Sequence, residues 1–148
     1  MHRRVTAAAG AVLVAAAAAG CSDGAITDTR IQDSVGATFA NLWDLQQSEQ
    51  GHPHSPAGTL ASQASCHRGD PAEAAVGAAN DWVCSITWLV DGPGTPATAL
   101  YILSVGTNGC YTAEGDGPAS LNGSVTLATA AGPRTNPLFR FNGCFDTT

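Results

Sequence analysis

Apolar side chains recur at helical spacing through residues 28–50 and at alternate positions from residue 81 onward. The chain therefore divides into a helical first part and an extended second part. Ile31, Val35, Phe39, Leu42 and Leu45 fall on one face of a helix, with Trp43 at its flank. Thr29 and Gln32 have the spacing of a capping box, with Thr29 as the cap. Gly51, followed by His52 and Pro53, supplies a stop. Gly36 inside the pattern weakens the helix by about 1 kcal/mol relative to alanine. A stripe of this kind is expected to pack on a sheet, the alternative being a face that binds a partner.

Strand periodicity begins with Trp82, Cys84, Ile86 and Trp88, which alternate with Val83, Ser85 and Thr87. The run Asp91-Gly92-Pro93-Gly94 is a turn, and Ala99, Tyr101, Leu103 and Val105 then alternate as a second strand. Asn108-Gly109 is a hairpin dipeptide leading into a third strand at 110–113. Residues 124–130 and 138–145 read as the fourth and fifth strands. In the last, Leu138 is out of phase with Phe139 and Phe141, which predicts a strand covered on both faces or an edge used for pairing. Between helix and strands, residues 51–80 carry Pro53, Pro56 and Pro71 and read as irregular, with one helical turn at 71–78. Short connections rich in Gly, Pro, Asn and Asp favour antiparallel pairing. The expected fold is α+β: one N-terminal amphipathic helix packed on an antiparallel sheet of about five strands, in a single domain over 28–148.

Charge narrows the function. Six basic residues stand against twelve acidic ones, for a net charge of −6, and there is no lysine. Nothing supplies the basic footprint of a nucleic-acid binder. The apolar content, 44%, is too ordinary and the charged fraction, 12%, too low for a disordered chain.

The first residues carry an address. Arg3 and Arg4 precede sixteen uncharged residues, Val5 to Gly20, rich in alanine. This is the layout of a secretory signal and is short for a spanning helix. Ala18-Ala19-Gly20-Cys21 then resembles a bacterial lipobox, with Ala18 where leucine is usual. That resemblance implies a lipoprotein signal peptide over 1–20, acylation of Cys21, and a lipidated tether over 21–27. It also implies a location on the extracytoplasmic face of the cell membrane. An ordinary signal peptide, leaving Cys21 a free thiol, is the alternative. In the rest of its composition the chain resembles small exported, disulfide-bonded lipoproteins of GC-rich bacteria. Cleavage would leave four arginines against the twelve acids, a balance of −8. Such a domain is repelled by anionic head groups, so the acyl chains rather than charge would hold it at the membrane.

Cysteine parity agrees. Five cysteines are odd for an exported chain, and acylating Cys21 leaves Cys66, Cys84, Cys110 and Cys144 as an even set. Four cysteines allow three pairings. Residues 108–111 and 142–145 share the pattern Asn-Gly-Cys-aromatic. If the two occurrences are equivalent turns opening neighbouring segments, Cys110 faces Cys144. Cys66 is then left for Cys84, which would pin 51–80 to the first strand. The competing view is four buried, reduced thiols.

Catalytic motifs are missing. There is no Gly-x-Ser-x-Gly, His-Glu-x-x-His or P-loop pattern, and no Cys-x-x-Cys. His52 and His54 form a His-x-His pair without an evident third ligand. Glu114 and Asp116 are paired acids in a turn-like run whose Asp-Gly alternation lacks the ligand set of a calcium loop. Neither a catalytic site, a cofactor nor a metal is expected. The expected function is non-enzymatic: a binding domain presented on the envelope, with an envelope protein or ligand as partner besides the membrane. Three alternatives stand beside it. They are an exported protease inhibitor using a loop at 91–97, a small envelope enzyme using Asp81, Glu114 and His67, and a weak metal binder using His52 and His54.

Overall fold

The computed structural model describes residues 26–53, 60–90 and 95–147. The signal segment, Cys21, His54 and the 91–94 turn lie outside the described residues.

Helix α1 spans Asp28–Glu49. Its cap is Thr27, not Thr29: Thr27 is extended (φ −125°, ψ 158°) and its hydroxyl accepts a hydrogen bond from the Arg30 amide. Tertiary pairing made that choice. Thr27 bridges Val76, the Asp28 amide donates to the Ala75 carbonyl, and the Gly77 amide donates to that of Ile26. The chain is thus held extended up to position 27, and the helix starts where that pairing ends. Ile26 is 6% exposed, so a residue assigned above to the tether belongs to the core. At the other end Gly51 stops the helix as expected. It sits at φ 82° and donates to the Ser48 carbonyl, while His52 donates to that of Gln47. These two bonds form a Schellman motif, which needs a left-handed residue at this position.

Seven strands follow: β1 Ser62–Arg68, β2 Ala79–Leu89, β3 Pro96–Val105, β4 Cys110–Gly117, β5 Thr126–Thr129, β6 Gly132–Thr135 and β7 Arg140–Cys144. Five form an antiparallel sheet in the order β1-β2-β3-β4-β7, and β5 and β6 form a separate hairpin. The α+β architecture, with a helix on a five-stranded antiparallel sheet, is therefore the one expected, but two of its members differ. β1 lies inside the segment read as irregular, because Gln63, Ser65 and His67 face solvent and its inward apolar residues are only Ala64 and Cys66, too small to show as an apolar alternation. The 124–130 segment contains a strand only over Thr126–Thr129, and it pairs with β6, whose Gly132-Pro133-Arg134-Thr135 carries no strand signature. Residues 71–78 form no helix; Glu73 closes a turn on Asp70.

One face of the sheet meets α1. Trp82, Cys84, Ile86 and Trp88 of β2 and Ala99, Tyr101, Leu103 and Val105 of β3 are all buried, as their alternation predicts. Against them α1 places Ile31, Val35 and Phe39, fully buried. Phe39 lies 4.7 Å from Trp88 and Trp43 lies 5.1 Å from it, between ring centroids. The helical stripe is therefore core. It departs from the simple pattern in its last two turns, where Leu45 is 46% exposed and Gln46 is buried instead. The Gln46 carboxamide donates to the Leu121 carbonyl and to Asn136 Oδ1, both at 2.8 Å. Asn136 Nδ2 donates to the Leu121 and Ser124 carbonyls, and its Oδ1 accepts from the Leu138 amide. This network closes the end of the core where side chains of loop and helix meet without strand pairing.

Candidate functional site

The two disulfides are Cys66–Cys84 and Cys110–Cys144. Each joins directly opposed residues of neighbouring strands, with Cα separations of 4.1 and 4.0 Å. Each also ties an edge strand to its inner neighbour: β1 to β2, and β7 to β4. They lie on opposite faces. Cys66 and Cys84 share the buried, helix-facing side, whereas Cys110 and Cys144 share the outer side with Thr112 and Asn142. The bridges place the chain in an oxidising, extracytoplasmic environment.

The pairing argued from the repeated Asn-Gly-Cys pattern is the one found, although the two occurrences are not equivalent turns. Asn108-Gly109 ends a four-residue turn closed by the Gly109 amide on the Gly106 carbonyl, with Gly109 at φ 75°. Asn142 and Gly143 lie inside β7. There the glycine serves packing, because the Tyr111 ring occupies the space a Cβ would take.

The polar candidates do not converge. His52 follows the end of α1 and is exposed. His67 is exposed on the outer face, its Nδ1 2.6 Å from the Arg68 carbonyl oxygen. Asp81 is engaged by Arg68, whose Nε donates to it at 2.8 Å and whose Nη2 lies 2.7 Å from Glu73. The same guanidinium lies over Trp82 at 5.9 Å. The hydrogen bond from Arg68 holds the Asp81 carboxyl below its ordinary value, and the Asp81 partner raises that of Arg68. Glu114 pairs with Arg140 at 2.9 Å, and Asp116 is exposed. His67 and Glu114 occupy one row across the outer face, but two strands separate β1 from β4, so they stand about 14 Å apart. Among the described residues, no group of three or more His, Cys, Asp or Glu is placed to hold a metal ion. No described helix is long and apolar enough to cross a membrane.

What the fold does create is a groove between α1 and the edge strand β1, a cavity of about 610 Å³. Its helical wall is made of Gly36, Ala37 and Ala40, rimmed by Gln32, Asp33 and Asn41. Its floor is Leu60, Ser62, Gln63 and Ala64. Helix and strand are tied where Ser62 Oγ donates to the Gly36 carbonyl at 3.2 Å. The cavity volume falls within the range of ligand sites. The outer face of the sheet also exposes apolar side chains, Leu100 and Ile102 on β3 and Leu89 on β2. Sequence reasoning missed the groove because it missed β1; the available signal was the alternation of small and polar residues at 62–68, ending on Cys66. Comparison with protein families, with curated proteins and with solved structures finds no match for this chain.

Proposed function

We propose that this chain is an exported, lipid-anchored envelope protein that presents a small binding domain and carries out no catalysis of its own. The observation that carries the reading is the pairing of cysteines. Two bridges account for Cys66, Cys84, Cys110 and Cys144, which leaves Cys21 as the one cysteine outside them, at the end of Ala18-Ala19-Gly20. A thioether to diacylglycerol at Cys21 would use that sulfur, and each buried CH₂ of the acyl chains contributes about 0.8 kcal/mol to membrane attachment. The dispersal of His67, Asp81 and Glu114 supports a binding role over an enzymatic one.

The test is the intact mass of the protein extracted from membranes, before and after reduction. The expected species begins at an acylated Cys21 and gains two hydrogens for each of two bridges on reduction. A Cys21→Ser variant should move to the aqueous fraction with its bridges intact. Recovery of the unmodified cysteine, with the protein in the aqueous fraction from the start, would remove the anchor from this reading.

A further inference from the structure

We propose that the groove between α1 and β1 binds an extended segment of another protein, whose backbone adds as a sixth strand to the outer edge of β1, which is unpaired among the described residues. The proposal rests on the binding-domain reading and names its site and the chemistry of its partner.

The first argument is hydrogen-bonding geometry. Cys66 and Cys84 face each other at 4.1 Å between Cα atoms, the close spacing of an antiparallel pair that exchanges no backbone hydrogen bonds. The N–H and C=O of Cys66 therefore point away from β2, and by the two-residue repeat so do those of Ala64. Among the described residues these groups have no backbone partner. The register from Ser62↔Trp88 to Arg68↔Trp82 runs without a bulge, so the outward groups form a regular row. The opposite edge differs: β7 is five residues long, and the outward Cys144 carbonyl already accepts a hydrogen bond from Ser34 Oγ.

The second argument is that β1 lacks the devices that protect exposed edges. It holds no proline, no bulge and no inward charge until its last residue, Arg68. The disulfide to β2 keeps it flat against the sheet and fixes its register, so the edge is presented in one conformation.

The third argument is room. In an added strand, alternate side chains would point toward α1. There the helix offers Gly36, Ala37 and Ala40, none larger than a methyl, and the cavity beside them is open. Such a groove accepts small and medium apolar side chains. The charged group on its rim is Asp33, so a basic side chain in the occupant would be favoured at that end. Backbone pairing to a strand edge, with side chains in a helix–strand groove, is a recurrent mode of peptide recognition.

The probe is a displayed library of linear dodecapeptides panned against the full-length protein, with the affinities of enriched peptides measured by calorimetry. Ala64→Pro removes one outward N–H and leaves the β1–β2 ladder intact; Ala37→Trp fills the groove from the helix. Peptides are expected to enrich, to protect the amides of Ala64 and Cys66 from hydrogen exchange, and to lose about tenfold in affinity to Ala64→Pro, the upper range for one hydrogen bond. Ser65→Val, which keeps every backbone N–H and whose side chain faces away from the groove, should bind as the parent does. Absence of enrichment, or peptides that bind the proline and tryptophan variants as tightly as the parent, would overturn the proposal. So would a concentration-dependent dimer abolished by Ala64→Pro, because the edge would then belong to a second copy. Peptides lost only on Ile102→Asp would move the site to the outer face and leave the binding-domain reading standing. Groove binding by a protein with unmodified Cys21 would keep the groove and remove the anchor.

Discussion

The Tyr111 ring lies on Gly143, its directly opposed partner on β7, and fills the volume where any other residue would carry a Cβ. That contact lets the phenol reach past the edge strand, and its hydroxyl lies 3.2 Å from both Ser34 Oγ and Thr38 Oγ1 of α1. One glycine thus couples the last strand of the sheet to the helix.

Gly143→Ala should therefore cost about 1–3 kcal/mol, the range for overpacking a filled site. Tyr111→Phe keeps the ring and removes only the hydroxyl contacts, so about 0.5–1.5 kcal/mol is expected. Chemical denaturation of both variants and of the double variant checks the assignment. Tyr111→Ala should restore tolerance to Gly143→Ala, since the clash is with the ring.

Removing each bridge as a Cys→Ala pair tests the edge staples. The bridges join residues 18 and 34 positions apart, for which the chain-entropy model gives about 3 and about 4 kcal/mol respectively. The Cys110/Cys144 pair variant should be the less stable by that measure. Midpoints in denaturant, compared at equal slope, decide the order.

The Gln46–Asn136 network should behave as a unit. Asn136→Ala strands the Ser124 carbonyl and the Leu138 amide and takes one of two donors from the Leu121 carbonyl, and a cost of about 1–3 kcal/mol per group left unpaired is the relevant scale. Gln46→Ala removes one donor from the same carbonyl and should cost less. A double-mutant cycle is expected to show coupling, because both side chains share the Leu121 oxygen.

Two groups contribute to the pH response in opposite directions. Asp81 has its carboxyl lowered by the Arg68 hydrogen bond, so the unfolded chain binds this proton more readily than the folded one. Its contribution is present above the ordinary carboxylate value and is lost as pH falls through the lowered one. Tyr101 is buried, with its hydroxyl donating to the Leu138 carbonyl at 2.9 Å, and burial pushes its ionisation well above that of a free tyrosine, near 10. Its contribution is complete below about pH 10 and declines as pH rises further, because the unfolded phenol ionises first. Stability against pH for Asp81→Asn and Tyr101→Phe should flatten the acid and alkaline limbs respectively.

Where side chains are large and alternate cleanly, the local sequence was enough. β2 and β3 were legible because Trp82, Ile86, Trp88, Tyr101 and Leu103 each remove a large apolar area from water, and only one face of a strand can do so. The helix, its Gly51 stop and the burial of its Ile31–Val35–Phe39 face were legible for the same reason. β1 was hidden because its inward apolar residues are Ala64 and Cys66, both small, the second buried with a bridge formed only in the folded chain. The exchange of Leu45 for Gln46 was hidden too, since a carboxamide is buried only where the Leu121 carbonyl and Asn136 await it, 75 and 90 residues away. The cap at Thr27 came from the pairing of 26–28 with 75–77.

Sequence alone thus determined the fold class and the two inner strands β2 and β3. Only the tertiary structure decided which segments became the edges, and with them the groove beside β1. Central strands are specified by the apolar area each carries, which is a local property. An edge is specified by what fails to pair with it, and that depends on every other strand having found its place.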